Sequence, residues 1–168
     1  MTMLSKNKKT IFLGQSVMYS GNAIFNTLIN VPNKKKIEFP VAEEMQMGVS
    51  IGLAMNGYIP ITCYPRFDFL ILACNQMINH LDKMRAMSQK QFKLKVIIRT
   101  SVGSKKPLDG GIQHTQNYTD MFKRVLTEIE VIYLNKPTDI FKTFKRCINP
   151  KIKKSFLIVE NGDFYNAK

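Results

Sequence analysis

The stretch KIEFPVAEEMQMGVSIGLAMNGYIPITCY, residues 36–64, is the part of the sequence that most directly predicts the fold. A short apolar run at 36–39 predicts a strand, and Pro40 then opens a segment at 41–56 that Gly57 closes. Proline in the first turn and glycine just past the last are typical of an α-helix. Residues 59–64 predict another strand, with Pro60 near its beginning, where a missing N–H is tolerated. A strand–helix–strand unit of this kind favours parallel strands joined by a right-handed crossover.

The same alternation of strands and helices continues in both directions along the chain. Further strands are predicted at 10–14, 95–99, 131–134 and 155–160, and further helices at 22–28, 67–88, 117–125 and 137–147. Such alternation predicts an α/β fold with three layers, α/β/α, around a mostly parallel sheet. We expect one domain over residues 1–168 with a core of about 10–163, followed by a polar tail.

The charge of the chain is unusual, because 25 lysines and arginines against 12 acidic residues give a net charge of +13. Three interpretations are open: a solvated lysine-rich surface, an acidic partner subunit, or nucleic acid. No zinc-finger, basic-zipper or aromatic RNA-binding pattern is present, so we expect no nucleic-acid partner. No apolar run approaches the ~20 residues of a membrane span, and we see no secretory signal. Three cysteines without metal-type spacing agree with a cytoplasmic protein.

Candidate functional residues follow three of the predicted strands. In open parallel sheets, ligands bind beyond the carboxyl ends of the strands. Glu43 follows the strand at 36–39, Phe67 and Phe69 follow the strand at 59–64, and His114 lies in the loop after the strand at 95–99. A carboxylate, aromatic rings and a histidine at one edge suit a flat heteroaromatic ligand that needs proton transfer.

Each of these residues also has a simpler explanation. Carboxylates in the first turn of a helix are favoured by about 0.3–1 kcal/mol through the helix dipole alone. The two phenylalanines could be core residues, and His114 could be a surface side chain. The residues by themselves leave both interpretations open.

Four runs of sequence resemble a known family in their order and spacing. They are FPVAEEMQMGVSIGLAMNGYIPI, FDFLILACNQMINHLDKMRAMS, VIIRTSVG and GGIQHTQ, at residues 39–61, 67–88, 96–103 and 110–116. Together they resemble the thiamine-diphosphate-dependent enzymes. The similarity is to the pyrimidine-binding domain of the beta subunit of 2-oxoacid dehydrogenase decarboxylating components, which is akin to transketolase, and it spans roughly residues 10–163.

The resemblance implies a role for five residues. Glu43 falls where the family has the glutamate that hydrogen-bonds the aminopyrimidine ring and so activates the cofactor. Phe69 falls where an aromatic side chain flanks the pyrimidine, with Pro65 and Phe67 lining the same pocket. His114 matches the histidine that faces the substrate or the acyl-carrying lipoyl arm.

Two departures from the family bear on mechanism. The family usually carries an acidic pair in the glycine-led motif after the first strand, where this chain has Gln15 and Ser16. The family's Gly-Asp-Gly motif, which holds magnesium on a separate domain, is not matched by Asp109-Gly110-Gly111. The resemblance therefore implies no metal site in this chain. Thiamine diphosphate would be shared with a partner subunit that holds the magnesium.

The sequence thus predicts the pyrimidine-binding subunit of a split thiamine-diphosphate enzyme that is inactive alone. The whole enzyme would decarboxylate a 2-oxo acid and pass the acyl or aldehyde unit to an acceptor. Its expected partners are a diphosphate-binding, alpha-type subunit, a separate subunit with the carboxyl-terminal transketolase domain, and a second copy in a homodimer core. Two alternatives stay open: a transketolase-like carbon–carbon transferase subunit, and a non-catalytic regulatory descendant of such a subunit.

Overall fold

Six parallel strands form the middle layer of the computed structural model, which describes residues 1–105 and 109–166. They are β1 (Thr10–Gly14), β2 (Lys36–Glu38), β3 (Ile59–Tyr64), β4 (Ile97–Val102), β5 (Glu130–Leu134) and β6 (Phe156–Asn161). Their order across the sheet is β2-β1-β3-β4-β6-β5, and every neighbouring pair is parallel. The predicted parallel sheet is confirmed. Pro60 is the second residue of β3, ahead of the ladder to β4, which begins at Ile61.

Helices cover both faces of this sheet. They are α1 (Thr2–Ser5), α2 (Ala23–Asn26), α3 (Glu43–Met55), α4 (Phe67–Leu70), α5 (Met84–Met87), α6 (Thr119–Val125) and α7 (Pro137–Cys147). Shorter 3₁₀ turns lie at Asn33–Lys35, Ile71–Ala73 and Gly162–Asn166, and a π-helical segment spans Asn75–Leu81. The last 3₁₀ turn lies where we predicted a polar tail. No helix in the described ranges combines the length and the apolar character needed to cross a bilayer.

Two apolar clusters, one on each face, make the molecule three-layered as predicted. The first joins α3, the segment from α4 to Leu81, and α6 around residues such as Met47, Phe67 and Phe122. The second joins α1, α2 and α7 around residues such as Leu4 and Phe144. Successive residues of β4 alternate between the two clusters, as the period of a buried strand requires.

The segment predicted as helical at 67–88 is largely helical, but it is not one continuous α-helix, because its winding changes three times. Its buried apolar residues are Phe67, Leu70, Ala73, Met77 and Leu81. Their spacing is three up to Ala73 and four thereafter, which matches a tight turn followed by wider ones. In the π-helical part, the Asp82 N–H donates to the Met77 carbonyl at 2.9 Å. The winding thus keeps one apolar stripe against the sheet.

A buried ion pair ties the last strand to the centre of the sheet. The guanidinium of Arg99 on β4 donates to both carboxylate oxygens of Glu160 on β6, at 2.6 and 2.9 Å. It also donates to the Thr27 hydroxyl at 3.1 Å, and Tyr165 donates to Glu160. These partners satisfy two charges that would be very costly to bury alone.

Asp82 is a second buried carboxylate, and it joins the π-helical segment to the loop before β5. Its oxygens accept hydrogen bonds from the backbone N–H groups of Thr127, Glu128 and Ile129 at 2.8–3.1 Å. Burial alone would raise the pKa of Asp82, but Lys83 and these N–H groups outweigh it and lower the pKa to about 2.

We predict that Asp82→Asn lowers the free energy of unfolding by about 2 kcal/mol at pH 7, from the change in pKa. Because the folded pKa is depressed, this stability is present above the unfolded pKa of about 4 and is lost as the pH falls towards 2. Urea unfolding of both proteins between pH 7 and pH 3 should therefore show curves that converge on acidification. Asp120→Asn, at an exposed carboxylate, is the control and should change little. If Asp82→Asn lost the same free energy of unfolding at every pH, that result would contradict the lowered pKa of Asp82.

Candidate functional site

The carboxyl edge of the sheet gathers residues that follow four of its strands, among them the predicted site residues Glu43, Pro65 and His114. Gln15 follows β1, Glu43 begins α3 after β2, Pro65 follows β3, and His114 lies in the loop after β4. The parallel strands place all four loops on the same edge. The side chains form two contacting pairs there, Gln15 with Glu43 and Phe69 with His114.

The loop after β1 is fixed by a carboxylate on the neighbouring strand. The Glu38 carboxylate accepts hydrogen bonds from the backbone N–H groups of Ser16, Val17 and Met18, the last two at 2.9 and 2.8 Å. These bonds hold Ser16 at a φ of 52°, which is uncommon for a residue other than glycine. Just before the loop, a Cβ at Gly14 would overlap the Cys63 carbonyl, so only glycine allows β1 to approach β3 there.

Glu43 is buried, with 6% of its surface exposed, in the first turn of α3. Its Oε1 accepts a hydrogen bond from the Gln15 side-chain amide at 3.0 Å, and its main-chain carbonyl accepts one from the Tyr64 hydroxyl at 3.3 Å. In the described part of the chain, no group donates a hydrogen bond to Oε2. The carboxyl therefore has one oxygen held by the protein and one that can serve a ligand.

Glu44 is chemically similar to its neighbour, but its environment is different. It is exposed, and its Oε1 accepts hydrogen bonds from Asn75 at 3.0 Å and Gln76 at 3.3 Å. The bond from Asn75, with that from Gln76, lowers the pKa of this carboxyl. Glu44 thus links α3 to the π-helical segment, while Glu43 is the candidate for chemistry.

Gln46 fixes the direction of α3 and was missed from the sequence. This buried side chain donates to the Thr62 hydroxyl at 2.8 Å and to the Cys63 carbonyl at 3.1 Å, both on β3. The Ser50 hydroxyl in turn donates to the Gln46 carbonyl at 2.7 Å. Helix α3 is therefore attached to the sheet one turn beyond Glu43.

Phe69 and His114 meet edge to face, with ring centroids 5.6 Å apart and planes at 66°. Phe69 is 42% exposed, so its ring is available to a ligand. The His114 Nδ1 atom is buried without a hydrogen-bond partner in the described ranges. A Cβ at Gly103 would overlap the His114 carbonyl, so this glycine at the end of β4 lets the histidine loop approach the sheet.

The other two predicted pocket residues differ from this pair. Phe67 has no exposed surface; its ring stacks on Phe122 at 5.5 Å and meets Tyr118 edge-on at 5.6 Å. We therefore place Phe67 in the core and leave it out of the ligand contacts proposed below. Pro65 is partly exposed, and its carbonyl accepts a hydrogen bond from Ser101 at 2.8 Å.

A wide groove of about 710 Å³ opens beside Glu43. Its apolar lining comes from exposed side chains of α3 and from Leu72, and Gln76 borders it. Nothing lies within 4 Å of the positions that a Cβ would take at Gly48 and Gly52 on the same helix. This open apolar face includes the mouth of the Glu43 site.

Two other features of this edge are the metal, for which the sequence predicts no site in this chain, and the charged loop before His114. Within residues 1–105 and 109–166, no three His, Cys, Asp or Glu side chains lie close enough together to hold a metal ion. The charged loop at 104–109 lies partly outside the described residues, at 106–108. At its start, the Ser104 hydroxyl donates to Asp163 at 2.9 Å.

Residues 2–166 match the model of the family described as transketolase, pyrimidine binding domain. The chain belongs to this family. The predicted resemblance is thereby confirmed for nearly the whole chain, and the three-layer architecture is that of a transketolase-type pyrimidine-binding domain.

Similar sequences of known function are beta subunits of the pyruvate dehydrogenase E1 component. The subunit of Chlorokybus atmophyticus is 24% identical over 168 residues, which cover 98% of this chain and 49% of that subunit. The subunit of Chaetosphaeridium globosum is 34% identical over 89 residues, which cover 53% of this chain and 27% of that subunit. This pyrimidine-binding domain spans about half the length of the first relatives it matches.

Solved transketolase structures share the fold. One, a split-gene transketolase in an inactive beta4 tetramer, has a TM-score of 0.70 at 20% identity, covering 95% of this chain and 47% of that one. Transketolase from Campylobacter jejuni has a TM-score of 0.71 at 14% identity, covering 94% of this chain and 23% of that one. At such identities the likeness concerns the fold alone.

We predict that Gln15→Glu makes Glu43 part of a coupled pair of carboxylates. In the parent chain the Gln15 amide nitrogen lies 3.0 Å from the Glu43 Oε1 atom. Two carboxylates at that distance cannot both ionise easily, so one pKa should rise well above the ordinary 4.3 of glutamate. A ¹³C-NMR titration of the side-chain carboxyls measures this. Gln76→Glu, which places a carboxylate beside the exposed Glu44, is the matched control and should shift less because water screens the pair. Two ordinary titrations in Gln15→Glu would show that the side chains had moved apart.

We predict that Gly103→Ala separates His114 from Phe69. The new methyl group must displace the His114 carbonyl, and the imidazole protons should then lose the ring-current shift that Phe69 imposes at 5.6 Å. Proton NMR of the histidine resonances checks this. Gly21→Ala is the control, since its Cβ would meet the Ser16 side chain at ordinary contact distances of 3.5 and 3.8 Å. Unchanged His114 resonances in Gly103→Ala would refute the role given to this glycine.

Proposed function

We propose that this chain is the pyrimidine-binding subunit of a split thiamine-diphosphate enzyme. The enzyme decarboxylates a 2-oxo acid and passes the acyl or aldehyde unit to an acceptor. One observation carries the proposal: Glu43 is a buried carboxyl at the mouth of an open groove, with Oε1 bound to Gln15 and Oε2 without a donor in the described chain. The beta-subunit relatives support the choice of a 2-oxo acid.

The described residues fit the pyrimidine half of the cofactor. Glu43 would hold the aminopyrimidine ring through Oε2 and share a proton with it, while the Gln15 amide holds Oε1. The exposed side chain of Phe69 would pack against the ring, and Pro65 would border it. His114, whose ring contacts that of Phe69, would face the substrate. Thiamine diphosphate, when bound, supplies the nucleophilic carbon that attacks the substrate carbonyl.

The diphosphate half of the site belongs, in this proposal, to a diphosphate-binding, alpha-type subunit that also holds magnesium. Magnesium is usually bound by one or two carboxylates together with phosphate oxygens. Thus the chain is inactive alone and shares its cofactor across an interface. The apolar groove beside Glu43, with the bare Gly48 and Gly52 positions on α3, supports a polypeptide contact there.

Two further partners complete the proposed assembly. One is a second copy of this chain, in a homodimer core, and the other is a separate subunit with the carboxyl-terminal transketolase domain. An acidic partner would also complement the net charge of +13. Copurification from the source cells, followed by native mass spectrometry with thiamine diphosphate and magnesium, tests the composition.

We predict that Glu43→Gln lowers turnover of the reconstituted complex by about 10²–10⁴-fold, since a positioned proton-transfer group contributes that much. Folding should be unaffected, because glutamine keeps the shape of the side chain. The measurement is the rate of 2-oxo acid decarboxylation by the complete complex. Glu128→Gln, at a surface ion pair with Arg85, is the control and should retain full activity. Full turnover by Glu43→Gln would remove Glu43 from the mechanism.

A second candidate is a non-catalytic regulatory subunit, and the amide of Gln15 favours it. An acidic side chain at that position could share a proton with Glu43, whereas the amide only donates a hydrogen bond to it. The two candidates differ in one result: a purified, cofactor-loaded complex that turns over no 2-oxo acid and no ketose supports the regulatory role. Turnover of a ketose instead of a 2-oxo acid would favour a transketolase-like transferase.

A further inference from the structure

A second concave surface lies at the amino ends of the strands, on the opposite edge of the sheet from Glu43. We call it the lysine groove, after the five lysines that line it: Lys8, Lys9, Lys93, Lys95 and Lys153. They precede β1, β4 and β6, whose first residues are Thr10, Ile97 and Phe156. Since the strands are 5 to 6 residues long, the groove and the Glu43 site are separated by the depth of the sheet.

The groove has the size and the composition of a small-molecule site. Its volume is about 620 Å³, within the range of roughly 300–1,000 Å³ that is usual for ligand pockets. Its apolar lining includes Tyr58, Ile59, Ile148 and Pro150. Tyr58 is 43% exposed, so its ring offers a surface on which a flat group can stack.

The charges of the groove have no counterion in the described chain. No aspartate or glutamate is among its lining residues, and none of the five lysines forms an ion pair with a described carboxylate. Lys123 and Lys142 elsewhere on the surface, by contrast, pair with Asp120 and Asp139. Five like charges around one concavity repel one another, and an anion placed there would relieve that repulsion.

Lys95 shows this repulsion between like charges most directly. It is partly buried, and its ammonium group donates to the Asn149 carbonyl at 2.6 Å. Burial lowers the pKa of Lys95, and the charge of Lys153 lowers it further. Lys95 and Lys153 are thus two cations of one groove that act on each other electrostatically.

We propose that the lysine groove binds an organic polyphosphate, a small molecule with an aromatic or apolar body and two or more phosphate groups. Lysine ammonium groups bind phosphate well as compact point charges. The phosphates would lie among the lysines, and the body would lie on Tyr58 and Ile59. A concave groove of about 620 Å³ favours a small molecule over an acidic protein, which usually contacts a larger and flatter surface.

Isothermal titration calorimetry of the 168-residue chain tests the proposal with three probes. They are ATP without magnesium, sodium tripolyphosphate and a decaglutamate peptide. ATP should bind most tightly, because among the three probes only it combines phosphates with a ring. If tripolyphosphate bound as tightly as ATP, that result would overturn the role given to Tyr58 and Ile59. Tighter binding of decaglutamate would overturn the small-molecule assignment in favour of an acidic protein segment, and no binding of any probe would overturn the site.

Two double variants separate a built site from general attraction by net charge. Lys9→Gln with Lys153→Gln removes two charges from the groove and should weaken ATP binding by about tenfold. Lys34→Gln with Lys145→Gln removes two exposed charges outside the groove and should leave the affinity within about twofold. Equal losses in both variants would overturn the proposal. Urea unfolding confirms that both variants are folded.

The lysine groove is also tested independently of the proposed enzyme function. Glu43→Gln should bind ATP as the parent chain does, because Glu43 lies at the other edge of the sheet. Loss of ATP binding in Glu43→Gln would assign the nucleotide to the Glu43 site and overturn the proposal for the groove. Since calorimetry needs no partner subunit and no turnover, failure of the enzyme function would leave this result unchanged.

Discussion

The carboxylate of Glu38 is the contact on which the arrangement of the candidate site depends. It accepts hydrogen bonds from three backbone N–H groups of the loop after β1. These bonds hold the loop in a conformation with a positive φ at Ser16, which a free chain would rarely adopt. The loop then presents the Gln15 amide to Glu43 at 3.0 Å. Gln46 supplies the second constraint, since it attaches α3 to β3 one turn beyond Glu43. Glu43 is thus positioned from two sides. Glu38 fixes the loop that carries Gln15, and Gln46 fixes helix α3, which carries Glu43.

This arrangement gives the Gln15 substitution a definite physical meaning. An amide N–H can only donate to the Glu43 carboxylate, so it holds that oxygen as an acceptor and leaves the other oxygen for a ligand. A carboxylic acid in the same place could share a proton with Glu43 and exchange it. The chain therefore has a buried carboxyl at Glu43 with one oxygen held by Gln15, and no acidic side chain at position 15 that could share a proton with it. Holding a carboxyl in place and relaying a proton to it are separate properties, and the Gln15 amide supplies only the first.

The alternation of apolar runs was enough to predict the sheet, its parallel strands and both helical layers, because each element carries its own local signal. The prediction of one helix at 67–88 failed because apolar spacings of three and of four both suit an α-helix. Only packing against the sheet decides where the winding changes. Phe67 and Phe69 illustrate the same limit within one turn. Residues two apart on a helix point in nearly opposite directions, so only one of them can face a ligand; here Phe69 is exposed and Phe67 is buried. Glu38, Gln46 and Gly103 were missed because their partners are distant in sequence.

The two edges of the sheet differ chemically because all of its strands run in the same direction. The four central strands, β1, β3, β4 and β6, are neighbours, so whatever precedes them is collected on one edge and whatever follows them on the other. In the sequence, Lys8, Lys9, Lys93, Lys95 and Lys153 lie in separate stretches of the chain. The topology gathers them around a single concavity without any acidic residue. The positive charge of this edge is therefore a property of the fold that no single cluster could indicate.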